Sequence, residues 1–485
     1  MLAKLLKNKK MFKAGGEHAA YVGAVVFSSF THFVYSVYVK RSIEPLDFGI
    51  YSTCLLLQVY LTYIQLGVMN AFNRDYPQLL GAGDVENAQK YRNTAFSYLL
   101  LVFFISLIVI SASLFLFGDY CQLNSKYKFG FIFCALITFV TIIENFCASR
   151  IRIDGNFNYT SFVTVAETIS VGIGLYLVYV VGYYALYFTT VINMLIGIGL
   201  YYKRGISDIS LKIDFGLLKV IIVSGLPLLI NGLIWTIVNS IDKIVILSKI
   251  DTEALGIYSV AQMAFSYVVL VPHAMSQLFY VKMGKTYGST KSVEQLCCIS
   301  ESYTKLLAVI VSLIVLCAYF FVDPLVQWVM PNYSNGTRSA QILMLGLAVY
   351  APTMVNSNIL TILKENAMLL RGSIYLCILN FICSFGLVVV LGAKIEYVAL
   401  GSAMSYLIRT VILVVQLKKA ANIRPSKMIK ASIVPEMLIL APGIMLYYLL
   451  DNFTMAFASA LFVGVCVATI MYKKNILKVI KESKS

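Results

Sequence analysis

Apolar runs of about 20 residues recur along the whole chain, and this repetition constrains the fold more than any other feature of the sequence. A helix rises about 1.5 Å per residue, so each run can cross a hydrocarbon layer about 30 Å thick. The runs predict spans at about 18–39, 48–70, 93–117, 129–149, 159–180, 183–202, 217–248, 255–279, 302–322, 339–362, 372–391, 396–416, 430–450 and 453–472. The expected fold class is an all-α integral membrane protein of about fourteen transmembrane helices. Composition agrees, with 59% hydrophobic and 13% charged residues and a mean hydropathy of +0.81. A soluble domain carries roughly 45–50% apolar and 25% charged residues. The seventh run is too long for one straight span, and Ser224-Gly225-Leu226-Pro227 predicts a kink there, or a break from an interfacial start.

The net charge of +16 could suggest a nucleic-acid partner, but its distribution argues for a membrane and against nucleic acid. Thirty of the 39 Lys and Arg fall before the first span, after the last, in alternate connectors, or within four residues of a span end that borders those connectors, as Lys219, Lys305 and Lys430 do. Seven lie in the other connectors, and two, Lys243 and Arg409, lie deeper within spans. By the positive-inside rule the richer side is the cytoplasm. An even number of spans then puts both termini there, in a bacterial inner membrane. The segment Met1–Lys13 carries five Lys among Leu5, Leu6, Met11 and Phe12, which predicts an interfacial amphipathic helix on anionic membrane lipid. The first run shows no cleavage site and is expected to be a retained span.

An internal repeat divides the chain. Gly49-Ile50-Tyr51-Ser52 opens the second span, and Gly256-Ile257-Tyr258-Ser259 opens the eighth, 207 residues later. Six spans separate the copies, so both halves face the same way, which predicts two pseudo-symmetric six-helix lobes about an axis along the membrane normal. The expected organisation is a basic amphipathic segment at 1–17, a lobe at 18–202, a linker at 203–216, a second lobe at 217–417, two extra helices in 418–472 and a basic tail at 473–485.

Catalytic signatures are missing. Gly284-Lys285-Thr286 looks like the end of a nucleotide-binding loop, but Phe279 stands where its upstream Gly is required. The three His, at 18, 32 and 273, lack zinc-ligand spacing, and the ten Cys form no metal or disulfide pattern. The expectation is a protein that is not an enzyme, without cofactor or metal site.

Ionisable groups inside spans are costly, about 2.5–3.5 kcal/mol even on the mild insertion scale, so each is a functional candidate. Lys243 and Asp242 lie about six residues from the outer end of the seventh span, on a helix that also carries Asn231 and Asn239. Lys243, Asp242, Asn239 and Arg409 are the candidates to line a hydrated cavity and meet an anionic substrate. The bland alternative for Asp242 and Lys243 is local pairing or snorkelling. Glu144, Glu167 and Asp242 are candidates for ion coupling, against a role as buried structural acids. Arg74, Arg150, Arg152 and Arg371 follow span ends as inner-rim cations. Most such residues set topology and touch lipid phosphate.

Several of these segments together resemble one family. Arg41-Ser-Ile-Glu-Pro45-Leu-Asp-Phe48-Gly49-Ile-Tyr51, Gly225-Leu-Pro227, Ile241-Asp242-Lys243-Ile244-Val-Ile and Leu255-Gly256-Ile-Tyr258-Ser-Val-Ala261 occur in the order and spacing of the polysaccharide transporter family. These are the O-antigen and lipid-linked oligosaccharide flippases of the multidrug/oligosaccharidyl-lipid/polysaccharide flippase superfamily. The resemblance covers the first 260 residues; beyond them it rests on hydropathy and topology. It implies two bundles around a cationic cavity, alternating access, and an undecaprenyl-pyrophosphate-type lipid-linked oligosaccharide as cargo. An O-antigen, capsule or exopolysaccharide repeat unit would pass from the inner to the outer leaflet. A polysaccharide polymerase and a chain-length regulator are candidate partners. Lys243 matches a family position that often holds Arg, which keeps the charge and loses the bidentate fork. The alternatives are an ion-coupled multidrug or metabolite exporter, a lipid II flippase, and a membrane glycosyltransferase or polymerase. The last lacks the large outer segment it would need.

Overall fold

The structure is a computed structural model that describes residues 23–117, 124–205, 207–422, 425–450 and 452–484. The amphipathic segment expected at 1–17, and His18, lie outside the described residues. Fifteen α-helices and three short 3-10 turns occur among the described residues, and no strand. Contacts divide the chain into two compact units, Met1–Thr236 and Ile237–Ser485.

The first unit contains α1 (23–42), α2 (Pro45–Leu61), α3 (Val68–Gly81), α4 (Val85–Phe117), α5 (Ser125–Ile153), α6 (Phe157–Val181), α7 (Ala185–Gly205) and the beginning of α8 (Phe215–Lys249). The second contains the rest of α8, then α9 (Thr252–Thr290), α10 (Val293–Val329), α11 (Thr337–Ile362), α12 (Asn366–Leu391), α13 (Ile395–Ala421), α14 (Pro425–Leu449) and α15 (Phe453–Lys484). Among the described residues, each expected span coincides with a helix, and the second coincides with the pair α2 and α3. The chain is an all-α, multi-pass membrane protein. The stretch Asn158–Tyr202 is continuous in hydropathy yet holds two helices, because the chain reverses at Gly182, with φ +57°. Ser170 hydrogen-bonds Asn193, and Gly174 lies against Thr189, so α6 and α7 pair antiparallel. Helices α9 and α10 have 39 and 37 residues, nearly twice what a bilayer core requires. Phe279 and Tyr303 stack between them with ring centroids 4.2 Å apart.

The second span is bent where the sequence predicts a straight run. A 3-10 turn at Thr62–Gln65 ends in left-handed Leu66 (φ 49°) and Gly67 (φ 82°), and α3 leaves at 47° to α2. Helix α8 runs without a break through the Ser224-Gly225-Leu226-Pro227 stretch, with Pro227 inside it. The two segments meet at one contact. Gly225 lies on the Gly67 carbonyl, and neither position has room for a Cβ. Around that contact, Tyr63 Oη and Thr236 Oγ1 are 2.5 Å apart, and Ser224 Oγ donates to Asp75 at 3.3 Å. The bend after α2 is thus built around one close backbone approach.

The segment after α7 is fastened to its own unit. Asp208 accepts from Arg150 Nη1 and Nη2 at 2.5 and 2.7 Å and from Arg92 Nη1 at 2.8 Å. Asn93 adds a 2.7 Å bond to Ser210 Oγ. The Arg150 hydrogen bonds hold the Asp208 carboxyl down at about 2. Its folded value is below the unfolded one, so this contribution is complete above about pH 4 and is lost only as pH falls through about 2.

Replacing Gly225 with Ala should push α8 off the α2–α3 bend, because the obstructing atoms are backbone. Overpacking of this kind costs about 1–3 kcal/mol. The melting temperature of the purified Gly225→Ala protein should fall, while Gly232→Ala, whose nearest obstruction is a side-chain hydroxyl at 3.7 Å, should melt close to wild type.

Candidate functional site

The polar interior of the second unit is organised by Asp242. This residue sits on α8 between buried Ile241 and Val245, in an otherwise apolar stretch. Tyr258 Oη, on the first turns of α9, donates to Asp242 Oδ2 at 2.6 Å, and Ser402 Oγ, on α13, donates to Asp242 Oδ1 at 2.6 Å. Behind them, Asn380 on α12 lies 3.0 Å from both Ser402 Oγ and Ser384 Oγ, and Ser384 also reaches the Val398 carbonyl at 3.3 Å. One carboxylate, a tyrosine and two serine hydroxyls, an amide and a backbone carbonyl therefore converge from four helices. Gly401 permits this, because it lies against the Ser384 backbone with no space for a side chain.

Lys243 is partly buried beside this cluster and makes no ion pair or hydrogen bond among the described residues. Adjacent helix residues point about 100° apart and do not face one another. Asp242 and Lys243 make no direct ion pair among the described residues, although their charges interact, and both Asp242 oxygens accept from hydroxyls. Asn239, one turn before Lys243, is exposed. The Asn231 side chain lies outside the described residues.

Arg409 lies on α13 two turns beyond Ser402, about 10 Å along the helix at 1.5 Å per residue. Between the two levels, Phe265, Tyr406 and Tyr350 stack with ring centroids 6.0 and 4.9 Å apart. The structure thus brings Asp242, Lys243 and Asn239 to one level of the second unit and Arg409 to another.

The remaining candidates divide by whether they are already paired. Arg150 is held by Asp208, and Arg74 by Asp75 at 2.6 Å. Arg152 donates to Ser149 Oγ at 3.1 Å. Arg371 is exposed and has no carboxylate partner among the described residues. In the first unit, Glu144 on α5 and Glu167 on α6 meet against Gly197 of α7, which has no space for a Cβ. Glu167 Oε1 is buried there without a donor among the described residues.

The sequence reading missed several members of these groups. Tyr258 stands in the repeat motif, but its partner does not follow from the motif. Asn380 and Ser384 carry a detectable signal, since they sit four residues apart within an apolar run and so share a helix face. Glu436 on α14 was overlooked altogether. It is 2% exposed, and both carboxyl oxygens are buried without a donor among the described residues.

The fold is that of a multi-pass membrane protein with ionisable groups inside its spans. The sequence matches the family described as polysaccharide biosynthesis protein over residues 38–296, more than half of the chain. The chain belongs to that family. A search of the curated proteins finds no match. Among solved structures, the fold is similar to that of the lipid II flippase MurJ in an inward closed conformation. The TM-score is 0.73 at 15% identity, over 94% of this chain and 99% of that one. It is also similar to an inward-facing multidrug resistance MATE family transporter of the MOP superfamily, with a TM-score of 0.67 at 16% identity over 84% and 99% of the two chains. A third is a MOP superfamily transporter from Pyrococcus furiosus, at TM-score 0.56 and 15% identity over 84% and 96%. At these identities the likeness is one of fold.

Gly401→Ala should separate α12 from α13 and loosen the group around Asp242, with a cost of about 1–3 kcal/mol in stability. Ser402→Ala should leave packing nearly intact but remove one charged hydrogen bond, worth about 1.5–3 kcal/mol. Thermal melts of the two purified variants should both fall below wild type.

Proposed function

We propose that this protein is a flippase that carries a polyprenyl-pyrophosphate-linked oligosaccharide from the inner to the outer leaflet of a bacterial cytoplasmic membrane by alternating access. The observation that carries this reading is membership of the polysaccharide biosynthesis protein family in a chain built almost wholly of apolar helices. A pyrophosphate with several sugars cannot cross hydrocarbon unaided, and moving it breaks no bond, so no catalytic group is needed. The bias of Lys and Arg supports two cytoplasmic termini. Two lobes at 18–202 and 217–417, with two further helices, remain the working division for such motion.

Lys243 supplies positive charge for the anionic cargo, beside exposed Asn239. A positive charge in a span is costly until an anion or water compensates it, and Lys243 makes no direct ion pair among the described residues. This sign favours an anionic cargo over the cationic drugs of an exporter. Asp242 serves as the coupling-ion site: its carboxylate, with neighbouring hydroxyl, amide and carbonyl oxygens, forms the all-oxygen environment that suits a hard cation. Glu144 and Glu167 are the corresponding acidic pair of the first unit. The polymerase and chain-length regulator of such a pathway would be its partners in the membrane.

Surface-glycan display in a deletion strain, normalised to membrane protein, tests the reading. Lys243→Arg should retain display. Lys243→Ala should lower it about tenfold, the effect of losing roughly 1.4 kcal/mol of cargo binding. Asp242→Asn should hold protein level while display falls and its dependence on the ion gradient disappears. Full display with Lys243→Ala would remove this residue from the cargo path.

A further inference from the structure

The most deeply buried acid among the described residues is Glu436, on α14 and inside the span read at 430–450. It is 2% exposed, and both carboxyl oxygens are sealed without a hydrogen-bond partner among the described residues. Asp242 also lies in a span, yet each of its oxygens accepts from a hydroxyl. Local sequence withholds the same support from Glu436. Pro435, just before it, has no N–H and cannot donate to the Ala431 carbonyl one turn back. Ser432, one turn before Glu436 on the same helix face, is 1% exposed, and it donates to the Met428 carbonyl at 2.8 Å. Helix α14 therefore brings an acceptor and no free side-chain donor to this level.

The neighbouring helices supply no counter-charge. Helix α14 packs mainly on α10 and α15, and more sparingly on α11 and α13. Gly443 of α14 and Gly464 of α15 both lie against Leu316 of α10, and Tyr448 Oη is 3.1 Å from Tyr319 Oη. These contacts follow the same order along both chains, so α10 and α14 run parallel. Seven residues back along each helix from Gly443 and Leu316, Glu436 comes opposite Val309, which is 4% exposed. The nearest charge on α10 is then Lys305, one turn away, and Glu301 holds it at 2.6 Å. Arg409 of α13 bonds Gln416 at 3.3 Å and lies against Gly372 of α12. The other charges of α11 and α13, namely Arg338, Glu396, Lys418 and Lys419, stand in end turns, and α15 has none before Lys473. No cation pairs with Glu436 among the described residues.

An ionised carboxylate in this place has neither donor nor counter-charge to offset its lost hydration. A metal cation or a water would need room beside the oxygens, and their burial leaves none. A proton needs no room and removes the charge.

We propose that Glu436 is a proton-binding site, filled while α14 is packed on α10 and exchanging only when that packing opens. The proton comes from water and returns to it when the helices part. Gly443 and Gly464 close the site by letting α14 and α15 settle on Leu316. The site belongs to the helices beyond the two lobes of the working division, and it rests on packing within the second unit, whatever the cargo is.

Infrared spectroscopy of the purified full chain in lipid nanodiscs tests the site at about pH 8, where an ordinary Glu is ionised. Wild type should show the carbonyl band of a protonated carboxyl that Glu436→Gln lacks. In heavy water that band should shift slowly, and faster in Leu316→Ala, which loosens the contact of α10 with α14. Glu436→Met, apolar and of similar length, should melt no lower than wild type, because it removes neither a charge nor a hydrogen bond. A carboxylate band that disappears in Glu436→Gln overturns the proposal. So does a Glu436→Met protein that melts well below wild type, since losing one partner of a buried ion pair is what destabilises strongly. That second result decides the matter even if Glu436→Gln fails to fold. Complete exchange of the wild-type band on mixing would contradict a site closed by helix packing.

Discussion

The carboxylate of Asp242 lies in an apolar stretch of α8 and takes a hydrogen bond on each oxygen from a hydroxyl on another helix. An ionised group in hydrocarbon survives only with such compensation. Here the donors come from α9 and α13, and the second row, Asn380 and Ser384, comes from α12. One side chain thereby fixes the register of four helices.

The two copies of Gly-Ile-Tyr-Ser show how a shared scaffold can carry different chemistry. Both Gly49 and Gly256 stand four residues after the first residue of their helices, Pro45 and Thr252. Tyr51 meets Tyr187 edge-on, with centroids 5.1 Å apart, while Tyr258 donates to Asp242. Counting back by the 207-residue offset places Tyr35 where the second half has Asp242. The hydroxyl cluster around a carboxylate is therefore a feature of the second unit. The acids of the first unit, Glu144 and Glu167, meet elsewhere, on α5 and α6.

Spans were legible because hydropathy is summed over some twenty residues, and no single position decides it. The bend at Leu66–Gly67 was not, since it follows from contact with Gly225, more than 150 residues away in sequence. The candidate charges were legible as a set, because every ionisable group in an apolar run is exceptional. Which of them is already neutralised was not legible. Arg150 lies just past the end of one apolar run and Arg409 inside another. Arg150 meets Asp208 across 58 residues, whereas Arg409 meets only a neutral amide. Pairing depends on packing between distant segments, and hydropathy contains no record of it. Glu436 shows the opposite failure: its span was read correctly and its carboxyl passed over.

The central claim is that this helical fold moves a lipid-linked anionic glycan, and reconstitution measures that directly. The full chain would be placed in liposomes containing a fluorescent polyprenyl-pyrophosphate-linked oligosaccharide, and a membrane-impermeant quencher would report the leaflet that holds the label. The account predicts label that becomes fully accessible with wild-type protein, more slowly with Lys243→Ala, and not in protein-free liposomes. Label that stays protected in the presence of wild-type protein, while the same liposomes expel a cationic drug, would contradict it.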